Sequence, residues 1–253
     1  MKIVIAGGSG LIGRKLAAIL EGRGHDVVAA SPSTGVDTLT GAGLAAALNG
    51  ADAVVDVTNS PSFADEAVMS FFSVSTRNLL AAAKAAGVAH HVALSVVGAD
   101  RLPESGYFRA KLAQERMIAE AGTGYSIVRA TQFFEFLGAV AGSSAAEDGL
   151  HLSTGGMQPM AADDVALALA DGAEQGPVNG IVEIGGPDRG TLAGFVGRWM
   201  HAVGDRRAVI ESAEAPYFGT RLDAGSLVPG AGARLMPTRL DDWLAAQAPT
   251  GVA

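Results

Sequence analysis

The chain contains no cysteine. That excludes a disulfide framework, a thiolate nucleophile and any zinc site built on cysteine, and it suits a reducing compartment. Positive charge is scarce: 18 Lys and Arg stand against 26 Asp and Glu, a formal net charge of −8. No basic run exists to neutralise phosphates along a nucleic acid. Long apolar runs are missing as well. The opening stretch MKIVIAGG has four apolar residues after its lysine, fewer than a secretory signal core, and nowhere are there the roughly 20 that a spanning helix needs. The expectation is a cytoplasmic protein with no nucleic-acid or membrane partner. Histidines are few, and His90 and His91 lack partners at metal-ligand spacing, so no metal site is expected.

What is present is a hydrophobic fraction of 49% in 253 residues, enough for one sizeable core or a main domain with an appended lobe. Short β-branched runs recur: KIVIAG, HDVVAA, ADAVVDVT, HHVALSV and YSIVRA. Near-continuous apolar runs of this length read as strands buried on both faces of a parallel sheet. Between them lie helix-like segments at 11–21, 44–48, 64–86 and 107–121, several closed by a glycine such as Gly24, Gly87 or Gly122. Alternating strand and helix implies right-handed crossovers and a Rossmann-type, doubly wound α/β sheet. After about residue 130 the rhythm loosens. SSAAEDGLHLSTGGMQPMAADD and PYFGTRLDAGSLVPGAGARLMP read as loops, with helices at 163–174 and 192–203 and a strand at NGIVEIGG. The whole chain, 1–253, reads as a single domain in which residues 131–253 supply a substrate loop and a small C-terminal lobe.

The loop IAGGSGLIG sets Gly7, Gly10 and Gly13 directly after the first strand and at the start of the first helix. One glycine permits the tight turn, one lets backbone approach a pyrophosphate, and one lets helix pack on strand. The helix N-terminus then offers unpaired N–H groups to the anion. Ser9, Leu11, Ile12 and Arg14 share that loop and are cofactor candidates. The second strand ends in SPSTG, with no carboxylate before Asp37 to accept from an adenosine ribose. Ser31 and Ser33 can donate to a 2′-phosphate and Arg14 can balance its charge, which favours NADP over NAD.

SGYFRAKLAQE puts Tyr107 and Lys111 four residues apart, on one helical face. A free phenol ionises near pH 10, and a nearby ammonium lowers that value. The phenol can then serve as proton donor to a carbonyl that receives hydride. Ser95, at the carboxyl end of HHVALS, can hold the same oxygen, at the sheet edge where open α/β folds bind ligands.

Together GGSGLIG, Ser95 in VALSVVG and Tyr107/Lys111 in YFRAK resemble the short-chain dehydrogenase/reductase superfamily, and more closely its atypical NmrA-like, NAD(P)H-binding branch. STRNLLAAAKAAGVAHHVALS, YSIVRATQFFEF and QPMAADDVALAL extend the resemblance over about residues 1–200. It implies Tyr107 as proton donor, Lys111 as its pKa partner and nicotinamide-ribose contact, Ser95 as carbonyl holder, and Thr58 and Asn59 along the cofactor. One departure stands out: Phe72 falls where the superfamily often has an active-site asparagine.

Gln132, Phe133, Phe134 and Phe136 follow the fifth strand, where a substrate wall is expected. Core packing is the competing account of the rings. Arg129 is expected to anchor that loop, and Asp163 and Asp164 to cap the helix that follows. The expected activity is hydride transfer from NADPH to the carbonyl or quinone of a small apolar substrate. A nucleotide-sugar epimerase or dehydratase is disfavoured by the short C-terminal segment, and a non-catalytic redox sensor by the intact Ser, Tyr and Lys. The helical segment 64–86 is a candidate homodimer surface.

Overall fold

The computed structural model describes residues 1–247; residues 248–253, the end of the expected lobe, lie outside the described residues. In chain order the first elements are β1 (Lys2–Ala6), α1 (Leu11–Gly22), β2 (Asp26–Ala30), α2 (Leu44–Leu48), β3 (Ala53–Asp56), α3 (Asp65–Ala85), β4 (His90–Val96), α4 (Gly106–Glu120) and β5 (Gly124–Ala130). There follow α5 (Leu137–Ser143), β6 (Ala145–Ala146), β7 (Gly149–Ser153), β8 (Gly156–Met157), α6 (Ala162–Gln175), β9 (Gly180–Gly185), β10 (Gly190–Thr191), α7 (Leu192–Val203), β11 (Val209–Ser212), β12 (Arg234–Leu235) and α8 (Leu240–Gln247). A seven-stranded sheet runs in the order β12-β9-β5-β4-β3-β1-β2. Its described registers are parallel, as the β-branched runs predict.

The chain divides into two compact units. The first joins Met1–Ala130 to Val165–Val182, and the second joins Thr131–Asp164 to the chain from Glu183 onward. In the first unit, Ile3, Val4 and Ile5 of β1 and Val54 and Val55 of β3 are fully buried. Alternation is absent because helices cover both faces of a parallel sheet. Helix α3 turns Val68, Phe72, Leu79 and Ala83 inward and stops at Gly87, whose φ of +73° is left-handed backbone. Helix α6 returns to this unit through Arg23, which pairs with Asp171 at 3.0 Å and Glu174 at 2.5 Å.

The second unit holds more strand than its glycine-rich sequence advertises. Strand β7 pairs with β11 in parallel and with β6 antiparallel, and β8 pairs with β10. From β7 only two apolar residues, Leu150 and Leu152, are buried, beside the buried Ser153, too few alternating apolar residues to mark a strand. Helix α7 starts as its sequence suggests, with the Thr191 hydroxyl accepting from the Gly194 amide at 3.0 Å. The first amide of α6, at Ala162, instead donates to Glu135 at 3.1 Å. Asp164, expected as a cap, accepts from the Thr238 amide at 3.1 Å.

Candidate active site

The glycine loop is shaped by steric demand. Gly7 has φ +87°, and a Cβ there would stand 2.8 Å from the Val57 carbonyl oxygen, at the exit of β3. A Cβ on Gly13 would run into the Gly7 carbonyl oxygen and reach the Gly8 Cα at 2.6 Å. Backbone thus packs directly on backbone, leaving the loop low and open, as close approach of a pyrophosphate requires. The Gly7 and Gly8 amides donate to Ala30 at 2.9 and 3.0 Å, tying the loop to the end of β2. Helix α1 has no side-chain cap and no acidic residue in its first turn, so its first amides have no carbonyl one turn back and no competing carboxylate. These residues fit a dinucleotide pyrophosphate. Ser9 is exposed, and its carbonyl accepts from the Arg14 guanidinium, which keeps that cation at the loop. Leu11 is half-buried and Ile12 packs inward.

Past β2 the hydroxyls are partly spent. Ser31 is buried and shares a 2.9 Å hydrogen bond with Ser33, while Thr34 accepts from the Ser31 amide at 3.0 Å. Ser33 is exposed. The first carboxylate of this region, Asp37, accepts from the Leu39 amide at 2.8 Å in a turn of its own.

The tyrosine helix is linked to the glycine loop through β3. Gly7 lies against Val57; beside it, Asp56 accepts from the Thr58 amide at 2.9 Å and the Thr58 hydroxyl at 2.7 Å. The other Asp56 oxygen accepts from Gln114 Nε2 at 3.0 Å, and the Gln114 oxygen accepts from the Lys111 ammonium. Asp56, Gln114 and Lys111 are all buried, so a carboxylate and an ammonium neutralise one another through an intervening amide. Lys111 also donates to the Leu94 carbonyl at 2.8 Å. Its Nζ stands 4.4 Å from the centre of the Phe72 ring, so an aromatic face occupies the place where an asparagine was sought. Burial brings the Lys111 pKa down to about 8, with Asp56 and Glu115 opposing the fall.

Tyr107 is held by rings rather than by charge. Phe63, Phe72 and Phe108 surround it at centroid distances of 5.6, 6.0 and 5.9 Å. Burial pushes the phenol up to about 12. This differs from the expected ammonium-lowered value: Lys111 shares the helix but spends its charge on Leu94, Gln114 and Phe72. Ser95 is likewise engaged, donating to Glu115 at 2.5 Å. Glu115 is gripped by Arg129 at 2.9 and 2.7 Å, and Arg129 also meets Asp100 at 3.1 Å. Arg129 therefore ties β5 to α4 and to the turn after β4. Asn59 is exposed.

Asp56, Gln114 and Glu115 were not singled out from sequence. The signals were there: a carboxylate ending the apolar run VVD needs a buried partner. Gln114 and Glu115, three and four residues past Lys111, share its helical face. His91 is a second surprise, buried with neither ring nitrogen hydrogen-bonded among the described residues.

In the second unit, Gln132 is buried and its side-chain oxygen has no partner among the described residues. Phe133 and Phe136 stack at 5.6 Å, and Phe136 is exposed. Phe134 goes the other way, fully buried with its ring 5.7 Å from Trp243; it is core, not wall.

A family model described as NAD(P)H-binding matches residues 7–176, from the glycine loop to the end of α6. The chain belongs to this NAD(P)H-binding family. No curated protein sequence matches it. Among solved structures, a short-chain dehydrogenase/reductase superfamily protein from Agrobacterium tumefaciens with bound NAD superposes with a TM-score of 0.68 at 19% identity, over 97% of this chain and 95% of that one. A dTDP-4-dehydrorhamnose reductase from Clostridium acetobutylicum gives 0.69 at 16%, over 98% and 92%. UDP-glucose 4-epimerase from Thermus thermophilus, in complex with NAD, gives 0.69 at 18%, over 90% and 92%. At these identities the likeness shows a shared Rossmann-type α/β fold. Among the described residues no helix is long and apolar enough to cross a membrane.

Proposed function

We propose that the chain is an NAD(P)H-dependent oxidoreductase that reduces the carbonyl or quinone of a small, largely apolar substrate. The observation that carries this reading is the unbroken series of contacts from the glycine cradle at Gly7, through Val57, Asp56 and Gln114, to Lys111 on the tyrosine helix. A dinucleotide held at α1 supplies the hydride. The loop Gly7–Gly13 and the first amides of α1 hold its pyrophosphate. Tyr107, a neutral phenol at pH 7, donates a hydrogen bond and then a proton to the oxygen that gains charge. NADP is the preferred dinucleotide in this reading: β2 is followed by no free carboxylate, whereas Arg14 and Ser33 are exposed beside the loop.

A non-catalytic dinucleotide sensor of the NmrA-like kind is the second reading, and a specific observation favours it: Ser95 and Lys111 spend their donors on Glu115, Leu94 and Gln114. A nucleotide-sugar enzyme regains ground too. The chain covers 92% of the Thermus epimerase, so length does not argue against a sugar site.

The deciding experiment follows NADPH and NADH oxidation against aryl ketones, aldehydes, quinones and UDP-glucose, with wild type beside Tyr107→Phe. Ketone turnover that the variant loses by about a hundredfold or more supports the proposed proton donor. Retained NADPH binding without turnover overturns the enzymatic reading and leaves the sensor.

A further inference from the structure

Phe63 is the most exposed large apolar side chain among the described residues, at 61%. A single exposed ring is ordinary on a protein surface. Two observations set this one apart. Its loop is tied down: the buried Ser60 hydroxyl donates to the Ser62 carbonyl at 2.7 Å, and the Ser62 hydroxyl accepts from the Ala64 amide at 3.3 Å. Just beyond, Asp65 pairs with Arg109 at 2.5 Å, and Arg109 donates to the Pro103 and Glu104 carbonyls at 2.6 and 2.9 Å. The ring is also placed beside the reacting group. It lies 5.6 Å from the Tyr107 ring at 49°, and Tyr107 in turn lies 6.0 Å from Phe72.

We propose that Phe63 is a specificity-determining residue that stacks the aromatic ring of an aryl ketone or quinone beside Tyr107. This rests on the oxidoreductase reading. Phe63, Tyr107 and Phe72 form a row of rings with one end open to water. A flat ring added at that end removes apolar surface on both partners and gains the edge or offset geometry that aromatic pairs prefer. Reaction requires that ring to settle against Phe63 with its conjugated carbonyl turned toward Tyr107, whose ring lies 5.6 Å from that of Phe63. The hydrogen bonds within the loop limit the conformational freedom lost on binding. An aliphatic carbonyl of the same oxidation level gains none of this.

The test uses three α-diketones that differ in one substituent: 1-phenyl-1,2-propanedione, its cyclohexyl counterpart and 2,3-butanedione, with NADPH as reductant. In Phe63→Ala, kcat/KM for the phenyl compound is expected to fall about tenfold, mostly through KM, with 2,3-butanedione little changed. Phe63→Trp is expected to restore the phenyl preference, and the cyclohexyl compound to respond less than the phenyl one. An equal fall for all three substrates in Phe63→Ala overturns the inference. If wild type turns over none of them and none of the wider ketone, aldehyde and quinone panel, the oxidoreductase reading fails on its own. Saturation-transfer NMR with acetophenone then reads the ring site separately. Ring-proton signals that fade in Phe63→Ala support the stacking role, and unchanged signals overturn it.

Discussion

The Lys111 ammonium donates to the Leu94 carbonyl at 2.8 Å, on the strand beside its helix, and leaves the Tyr107 phenol to its aromatic neighbours. A lysine placed this way braces α4 on β4. It does not acidify the tyrosine, whose pKa is pushed up to about 12 by burial. The consequence is optical. In a 295 nm titration, the difference between wild type and Tyr107→Phe should show no phenolate step between pH 9 and 11. A step near pH 10 would show that burial does not raise the phenol, and one well below pH 10 would return Lys111 to the part of pKa partner.

The Glu115–Arg129 pair is almost wholly buried, with side chains 4% and 7% exposed. Removing Arg129 strands the Glu115 carboxylate in the interior, at a cost of about 3–5 kcal/mol, whereas removing Glu115 leaves Arg129 paired with Asp100. Arg129→Met should lower the urea midpoint sharply and Glu115→Met less so, and the double variant should lose less than the sum of the two. Additive losses would mean that the pair is not coupled.

His91 makes the fold sensitive to mild acid. Burial lowers its pKa below the ordinary 6.5, with Asp56 opposing and His90 adding to the fall. Below pH 6.5 the unfolded chain therefore binds more protons than the folded one, and stability drops by up to about 1.4 kcal/mol per pH unit for this group until the folded pKa is reached. Urea midpoints measured at pH 7.5 and 5.5 should differ in wild type and differ less in His91→Leu. Equal slopes in both would show that His91 is not the group responsible.

Gly13→Ala tests the cradle. The added methyl has no room beside the Gly7 carbonyl oxygen and the Gly8 Cα. The loop must shift, and NADPH binding should weaken by more than about tenfold, equivalent to about 1.4 kcal/mol. Calorimetry with NADPH on a variant that keeps its wild-type circular dichroism is the check. Unchanged affinity would place the dinucleotide elsewhere.

The sheet was legible because β-branched runs such as KIVIA and AVVD can be buried on both faces only in a covered parallel sheet. The glycine loop was legible because its spacing answers a steric need that the structure shows at Gly7 and Gly13. What side chains do on the tyrosine helix was not. Helical spacing puts Tyr107, Lys111 and Glu115 on one face, yet it does not say which partner each will take. Asp56 and Arg129 lie far from that helix in sequence, and they decide the matter through Gln114 and Glu115. Phe63 escaped notice for a related reason: an aromatic residue in a polar loop carries no period, and only its distance to Tyr107 gives it meaning.

The first compact unit is not finished at Ala130. Residues Val165–Val182 come back to it after the chain has built part of the other unit. There the Asn179 amide donates to the Tyr125 carbonyl at 2.7 Å, and the Val178 amide to the Ser126 hydroxyl at 3.2 Å. During synthesis, then, the nascent sheet must wait, one flank bare, until the ribosome has delivered the stretch that covers it. A fragment cut at residue 130 would stay in that unfinished condition, and only a spliced gene joining 1–130 to 165–182 would encode the unit whole.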